Sequence, residues 1–134
     1  GPQWPDARSV ATAIYYLLTA GSFSAIHRVR SDEVFHFYLG EPVEMLQLLP
    51  NGTGRALVIG TDLRAGERPQ VLVPAGAWQG TRLRAGAPAD AFALLGTTVS
   101  PGFDVADFEL GARDRLVAEY PAFADRIRSL TRGA

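Results

Sequence analysis

Residues 21–40 read Gly-Ser-Phe-Ser-Ala-Ile-His-Arg-Val-Arg-Ser-Asp-Glu-Val-Phe-His-Phe-Tyr-Leu-Gly, and they decide the fold. Gly21 and Gly40 bracket two runs rich in aromatic and branched residues, 23–29 and 33–39, with Arg30-Ser31-Asp32 between them. Runs of this length between turn signals read as two strands joined by a tight turn. Alternation along a strand puts residues 27 and 29 on one face and Arg28 and Arg30 on the other.

Outward from this pair, residues 11–18, 43–49, 55–60, 70–73, 78–83 and 91–99 read as further strands, although periodicity alone would also permit a short helix at 11–18. Thr19-Ala20-Gly21, Gly40-Glu41-Pro42 and Pro50-Asn51-Gly52-Thr53-Gly54 separate them, the last with the strong Asn-Gly hairpin signal. Short strands at spacings of about eight to twelve residues argue for an all-β sandwich or barrel. The end of the chain differs. Leu110, Leu116, Val117, Tyr120, Phe123, Ile127 and Leu130 recur close to helical spacing. Pro121 suits the first turn of a second short helix, where its missing N–H costs nothing. We expect a lead-in at 1–10, with Gly1-Pro2 a remnant of tag cleavage. A single domain follows at 11–134, its barrel reaching about residue 102 and a helical cap covering 105–132.

Thirteen basic and fourteen acidic residues leave a net charge of −1, so no basic surplus calls for nucleic acid. There is no cysteine, which removes disulfides, thiolate nucleophiles and thiolate metal ligands. The longest apolar run, residues 11–20, is too short to span a bilayer. A cytoplasmic protein without membrane partners is the expectation.

The spacing Gly21, His27, Val29, Glu33, Gly40 resembles the first signature of the cupin superfamily, G-x5-H-x-H-x3-E-x6-G, at every fixed position but one. Val29 stands where the second histidine belongs. Residues 66–79 resemble the second signature, with Pro74 and Gly76 kept and Gln79 at the place of its histidine. Residues 96–109 are similar to the same small-cupin group, the Cupin_5 (DUF985) proteins. The resemblance implies a jelly-roll β-barrel with C-terminal helices, with His27 and Val29 pointing inward, and a homodimer paired through strand edges. Members of that group usually begin earlier, with a helix and a Gly-rich segment feeding an edge strand; we expect that segment to be missing or trimmed here.

In a metal-binding cupin the signatures supply three imidazoles and a carboxylate, a set suited to first-row metals. This chain offers His27, Val29, Glu33 and Gln79 at those places. Valine cannot ligate and glutamine is a poor ligand, so no cofactor is expected. A divalent metal held by His27, Glu33 and His36 or Gln79 is the alternative, and His36 would need a β-bulge to reach the face of Glu33. Asp104, Asp107 and Glu109 form a further acidic group, read first as helix-start residues rather than ligands.

Without metal, His27 and Glu33 form an acid–base pair, since an imidazole held by a carboxylate takes and gives protons near physiological pH. Some sugar epimerases of the cupin fold pair a histidine base with a tyrosine acid. Tyr38 is the first choice for that acid, with Tyr15 and Tyr16 as alternatives. Gln79, His36, Trp78 and Thr97 are the expected ligand contacts; Phe103 and Phe108 are expected to seat the helices on the barrel. The expected function is an isomerase, epimerase or lyase acting on a small polar metabolite such as a sugar derivative or hydroxy acid. A binding protein without turnover and a metalloenzyme with a reduced ligand set are the alternatives.

Overall fold

A computed structural model describes residues 7–133, and the reading of Gly1-Pro2 lies outside them. Nine strands come first in the chain order: β1 (Thr12–Thr19), β2 (Phe23–Arg28), β3 (Asp32–Gly40), β4 (Val43–Leu48), β5 (Gly54–Ile59), β6 (Gln70–Val73), β7 (Trp78–Leu83), β8 (Phe92–Ser100) and β9 (Glu109–Leu110). Helices α1 (Arg113–Glu119) and α2 (Ala124–Ser129) end it. The strands form two antiparallel sheets, ordered β1-β8-β3-β6 and β5-β4-β7-β2-β9. This is a jelly roll, and residues 11–18 are a strand rather than a helix.

The alternation of each strand explains the layers. In β3, Glu33 and Phe35 are buried between the sheets while Tyr38 and Leu39 are exposed. Strand β4 is buried almost throughout, because both its faces are covered. Val43 and Met45 join Leu18, Phe35, Ile59, Val73 and Leu95 in the core between the sheets. Leu46 and Leu48 point the other way, where with Ile26 they meet Leu116, Tyr120, Ile127 and Leu130 of the helical segment. The helices therefore cover the outer face of the five-stranded sheet. Tyr120 fixes them there, its hydroxyl donating to the Leu49 carbonyl at 2.7 Å.

The helical segment is shorter than its periodicity predicts. Leu110 is 61% exposed and belongs to β9, paired with His27 of β2. Residues 105–107 form a single 3-10 turn capped by Asp104, whose side chain accepts from the Ala106 N–H at 2.9 Å. Pro121 opens a 3-10 turn that runs into α2, as its position predicts. At Gly40 the chain takes φ 101°, and a Cβ there would lie 2.2 Å from the Phe92 carbonyl oxygen. Only glycine fits that crossing.

Candidate functional site

A cavity of about 300 Å³ opens between the two sheets, lined by Thr12, Ile14, Tyr16, His27, Val29, Glu33, Thr97, Val99, Phe103 and Phe108. Its residues come from inward positions of four strands, from Val29 just after β2 and from the segment following β8. On β1, inward Thr12, Ile14 and Tyr16 precede buried Leu18 at alternate positions. On β8, Thr97 and Val99 do the same, with Thr97 2% exposed.

His27 reaches the cavity through a bulge. In the β2–β7 ladder, Ser24 faces Thr81 and His27 faces Gln79, so the register slips between them. The extra residue lets Ile26 turn outward under the helices while His27 stays inside. The His27 ring stacks on Phe108 at 5.0 Å and 20°. Its Nδ1 lies 2.8 Å from the Ala25 carbonyl oxygen. A carbonyl only accepts, so Nδ1 carries the hydrogen and the neutral ring keeps its basic lone pair on Nε2.

Glu33 is 8% exposed. Gln79 of the opposite sheet donates from Nε2 to its Oε1 at 2.7 Å. Burial pushes the Glu33 carboxyl above its ordinary value, while the Gln79 hydrogen bond, the neighbouring His27 imidazole and the Thr97 hydroxyl pull it back. Burial likewise pushes the Tyr16 phenol up; Ser24 opposes this, the negative charge of Glu33 adds to it, and Thr81 opposes it again. Tyr16, His27, Glu33 and Thr97 thus form one polar group within an otherwise apolar cavity.

Several expected contacts lie elsewhere. Tyr38 is 54% exposed on the outer face of the four-stranded sheet, stacked on His36 at 6.5 Å and edge-on to Tyr15 at 6.2 Å. Plain alternation from Glu33 and Phe35 sends it outward, over Gly96 and away from the cavity. His36 points outward with it, its Nε2 3.0 Å from the Thr98 hydroxyl, because no bulge separates it from Glu33. Trp78 also faces out, with the Arg28 guanidinium 4.2 Å above its ring. Gln79 is 1% exposed and serves Glu33 rather than lining the cavity. Tyr16 was legible only as one of three tyrosines, and the alternation back from Leu18 is the signal that singles it out. Phe103 and Phe108 stand at the cavity rather than seating the helices. Asp107 meets Arg8 and Arg30, and Glu109 meets Arg28 at 2.6 Å, so these acids are paired with cations.

The model of the family described as Cupin superfamily (DUF985) matches residues 2–111, and the chain belongs to that family. It is similar to protein SO0799 of Shewanella oneidensis, at 37% identity and a TM-score of 0.87, covering 98% of this chain and 80% of that one. A hypothetical protein from Leishmania major matches at 30% identity and a TM-score of 0.85, over 94% and 78% of the two chains. The uncharacterised protein YML079W of Saccharomyces cerevisiae is 29% identical over 75% of this chain, which spans 50% of that relative's length. A dTDP sugar isomerase from Desulfovibrio desulfuricans shares the fold at 13% identity and a TM-score of 0.62, over 84% and 71% of the two chains.

The donor set does not fit a cupin metal. Val29 places hydrocarbon where a histidine would ligate, His36 faces away, and the Gln79 amide donates to Glu33. His27 and Glu33 remain, and among the described residues no group of three or more His, Cys, Asp or Glu could hold an ion. Among the same residues no helix is long and apolar enough to cross a membrane.

Proposed function

We propose that this cupin binds a small hydroxyl- or carbonyl-bearing molecule and moves a proton on it, as an isomerase, epimerase or lyase independent of metal. One observation carries the reading: His27, Glu33 and Tyr16 share a cavity, and the Ala25 carbonyl fixes the His27 tautomer that leaves Nε2 basic. His27 Nε2 removes a proton from carbon beside a carbonyl, and Glu33 stabilises the imidazolium that forms. Thr97, whose hydroxyl hydrogen is directed at Glu33 in the free site, turns it to the substrate oxygen as that atom gains charge. The Tyr16 hydroxyl returns a proton to carbon, taking the role expected of Tyr38; Tyr16 then regains a proton from solvent as the His27 imidazolium releases the one that it took.

The test follows deuterium incorporation from D2O by NMR across neutral sugars, sugar derivatives and hydroxy acids. The wild-type protein should exchange one substrate class, and His27→Ala should slow that exchange by about 10²–10⁴-fold. Undiminished exchange in His27→Ala would remove His27 as the base.

Binding without turnover is the second reading. The raised Tyr16 pKa favours it, because a phenol held well above neutral is a reluctant acid. Ligands that bind without exchange would select it. We also propose a homodimer through the uncovered face of the four-stranded sheet, where Tyr15, Leu17, Tyr38, Leu39 and Leu72 are exposed. Sedimentation of a Leu17→Glu variant as a monomer beside a wild-type dimer would support it, and a monomeric wild type would refute it.

A further inference from the structure

The charge pattern of the cavity constrains what can occupy it. Among the described residues none that lines it is arginine or lysine, although the chain has thirteen basic residues. Among the described residues its one carboxylate is Glu33, which stands beside the Thr97 hydroxyl deep in the site, and these two are 8% and 2% exposed. Three apolar groups lie nearer solvent, Phe103 and Phe108 at 42% and 46% exposed and Ile14 at 60%, while Val29 and Val99 are 6% exposed. A ligand that enters with a polar end inward meets hydroxyls, an imidazole and a negative charge, while its outer part meets hydrocarbon.

The flanking arginines do not supply the missing charge. Arg8 and Arg30 sit against Asp107, the latter at 3.8 Å, and Arg28 sits against Glu109 at 2.6 Å. A neighbouring hollow of about 440 Å³ shares Val29 and Phe108 with the cavity, and it presents Asp107 and Glu109 beside Arg28 and Arg30. Each guanidinium there already faces a carboxylate, so the hollow has no net positive charge to offer an anion. A carboxylate or phosphate placed in the cavity would lose its water, find no cation and face Glu33.

We infer that the cavity takes an uncharged hydroxyl- or carbonyl-bearing ligand with an apolar face, and discriminates against carboxylates and phosphates. The inference rests on the reading of this cavity as the functional site, and it removes hydroxy acids from the expected substrates. The alcohol end donates to Glu33 and exchanges hydrogen bonds with Thr97 and Tyr16. The apolar face packs on Phe103 and Ile14.

Matched pairs differing only by CH2OH against carboxylate test it: phenyl glucoside with phenyl glucuronide, and phenylethanediol with mandelate. Binding is measured at pH 7 by saturation-transfer NMR and calorimetry, with wild type, Glu33→Gln and Val29→Phe. At least one alcohol should bind, its acid partner about tenfold or more weakly, the scale set by like-charge juxtaposition. Glu33→Gln should narrow that gap by removing the like charge, and Val29→Phe should weaken the alcohol by filling the cavity. Acids binding as well as alcohols, no alcohol binding at all, an unchanged gap in Glu33→Gln, or full binding by folded Val29→Phe would each overturn the inference. Deuterium exchange reads the catalytic proposal separately. Neutral carbonyl-bearing sugars that bind without exchanging would end the proton-transfer reading and leave the charge selection standing. Exchange on the acids would do the reverse.

Discussion

Replacing Gln79 with leucine isolates the contact that joins the two sheets across the site. Gln79 is 1% exposed, and its amide donates to Glu33 at 2.7 Å. Leucine keeps the approximate volume and removes the donor. A hydrogen bond to a charged group is worth about 1.5–3 kcal/mol, against about 1 kcal/mol between neutral groups. The loss should therefore depend on the charge of Glu33. Burial has raised the folded-state pKa of Glu33, so between its unfolded and folded values the native state binds more protons. Stability from this group is present at acid pH and is lost as pH rises through the folded pKa. Gln79 opposes that loss by favouring the carboxylate, and Gln79→Leu should deepen it. Urea denaturation should show the variant weaker by about 2 kcal/mol at pH 8 and by about 1 kcal/mol or less near pH 4. An equal loss at both pH values, or a larger one in acid, would refute the assignment of Gln79 as the partner of an ionised Glu33.

The companion substitution Glu33→Gln removes the titrating group, so its stability relative to wild type should rise with pH in the same denaturation series. Tyr16→Phe should slow substrate exchange by about 10²-fold or more, whereas Tyr38→Phe, outside the cavity, should leave it unchanged. Ile127 is 0% exposed between α2 and the five-stranded sheet, and Ile127→Ala should cost about 2–5 kcal/mol in urea denaturation. Gly40→Ala meets both the positive φ and the Phe92 carbonyl, and its loss of stability should exceed about 1 kcal/mol by the same measurement.

Strand positions were legible because their causes are local. Alternating side chains mark a half-buried strand within a few residues, and turn residues such as Asn51-Gly52 end it without reference to the rest of the chain. The spacing of residues 21–40 carried His27, Val29 and Glu33 into the cavity for the same reason. The helical segment misled at one end. Leu110 fits the helical period, yet the open edge of β2 captures it as a strand partner, a pairing between residues far apart in sequence.

The site was only half legible, and the missing half depends on bulges and on contacts between sheets. Trp78 and Gln79 are neighbours, but the pleat sends them to opposite faces of β7, and only the position of β2 and the opposite sheet decides which face is the inside. The bulge in β2 keeps His27 inward, on the side of Ser24, whereas plain alternation along β3 carries Tyr38 outward with His36. By itself, then, the sequence determined the strands, the turns, the cupin family and the inward course of His27 and Glu33, all consequences of short-range periodicity and spacing. Tertiary structure alone decided that the bulged β2 sets His27 beside Glu33, that Gln79 serves Glu33 rather than a ligand, and that among the described residues no arginine or lysine lines the cavity. Those outcomes turn on which surfaces two separately formed sheets present to each other.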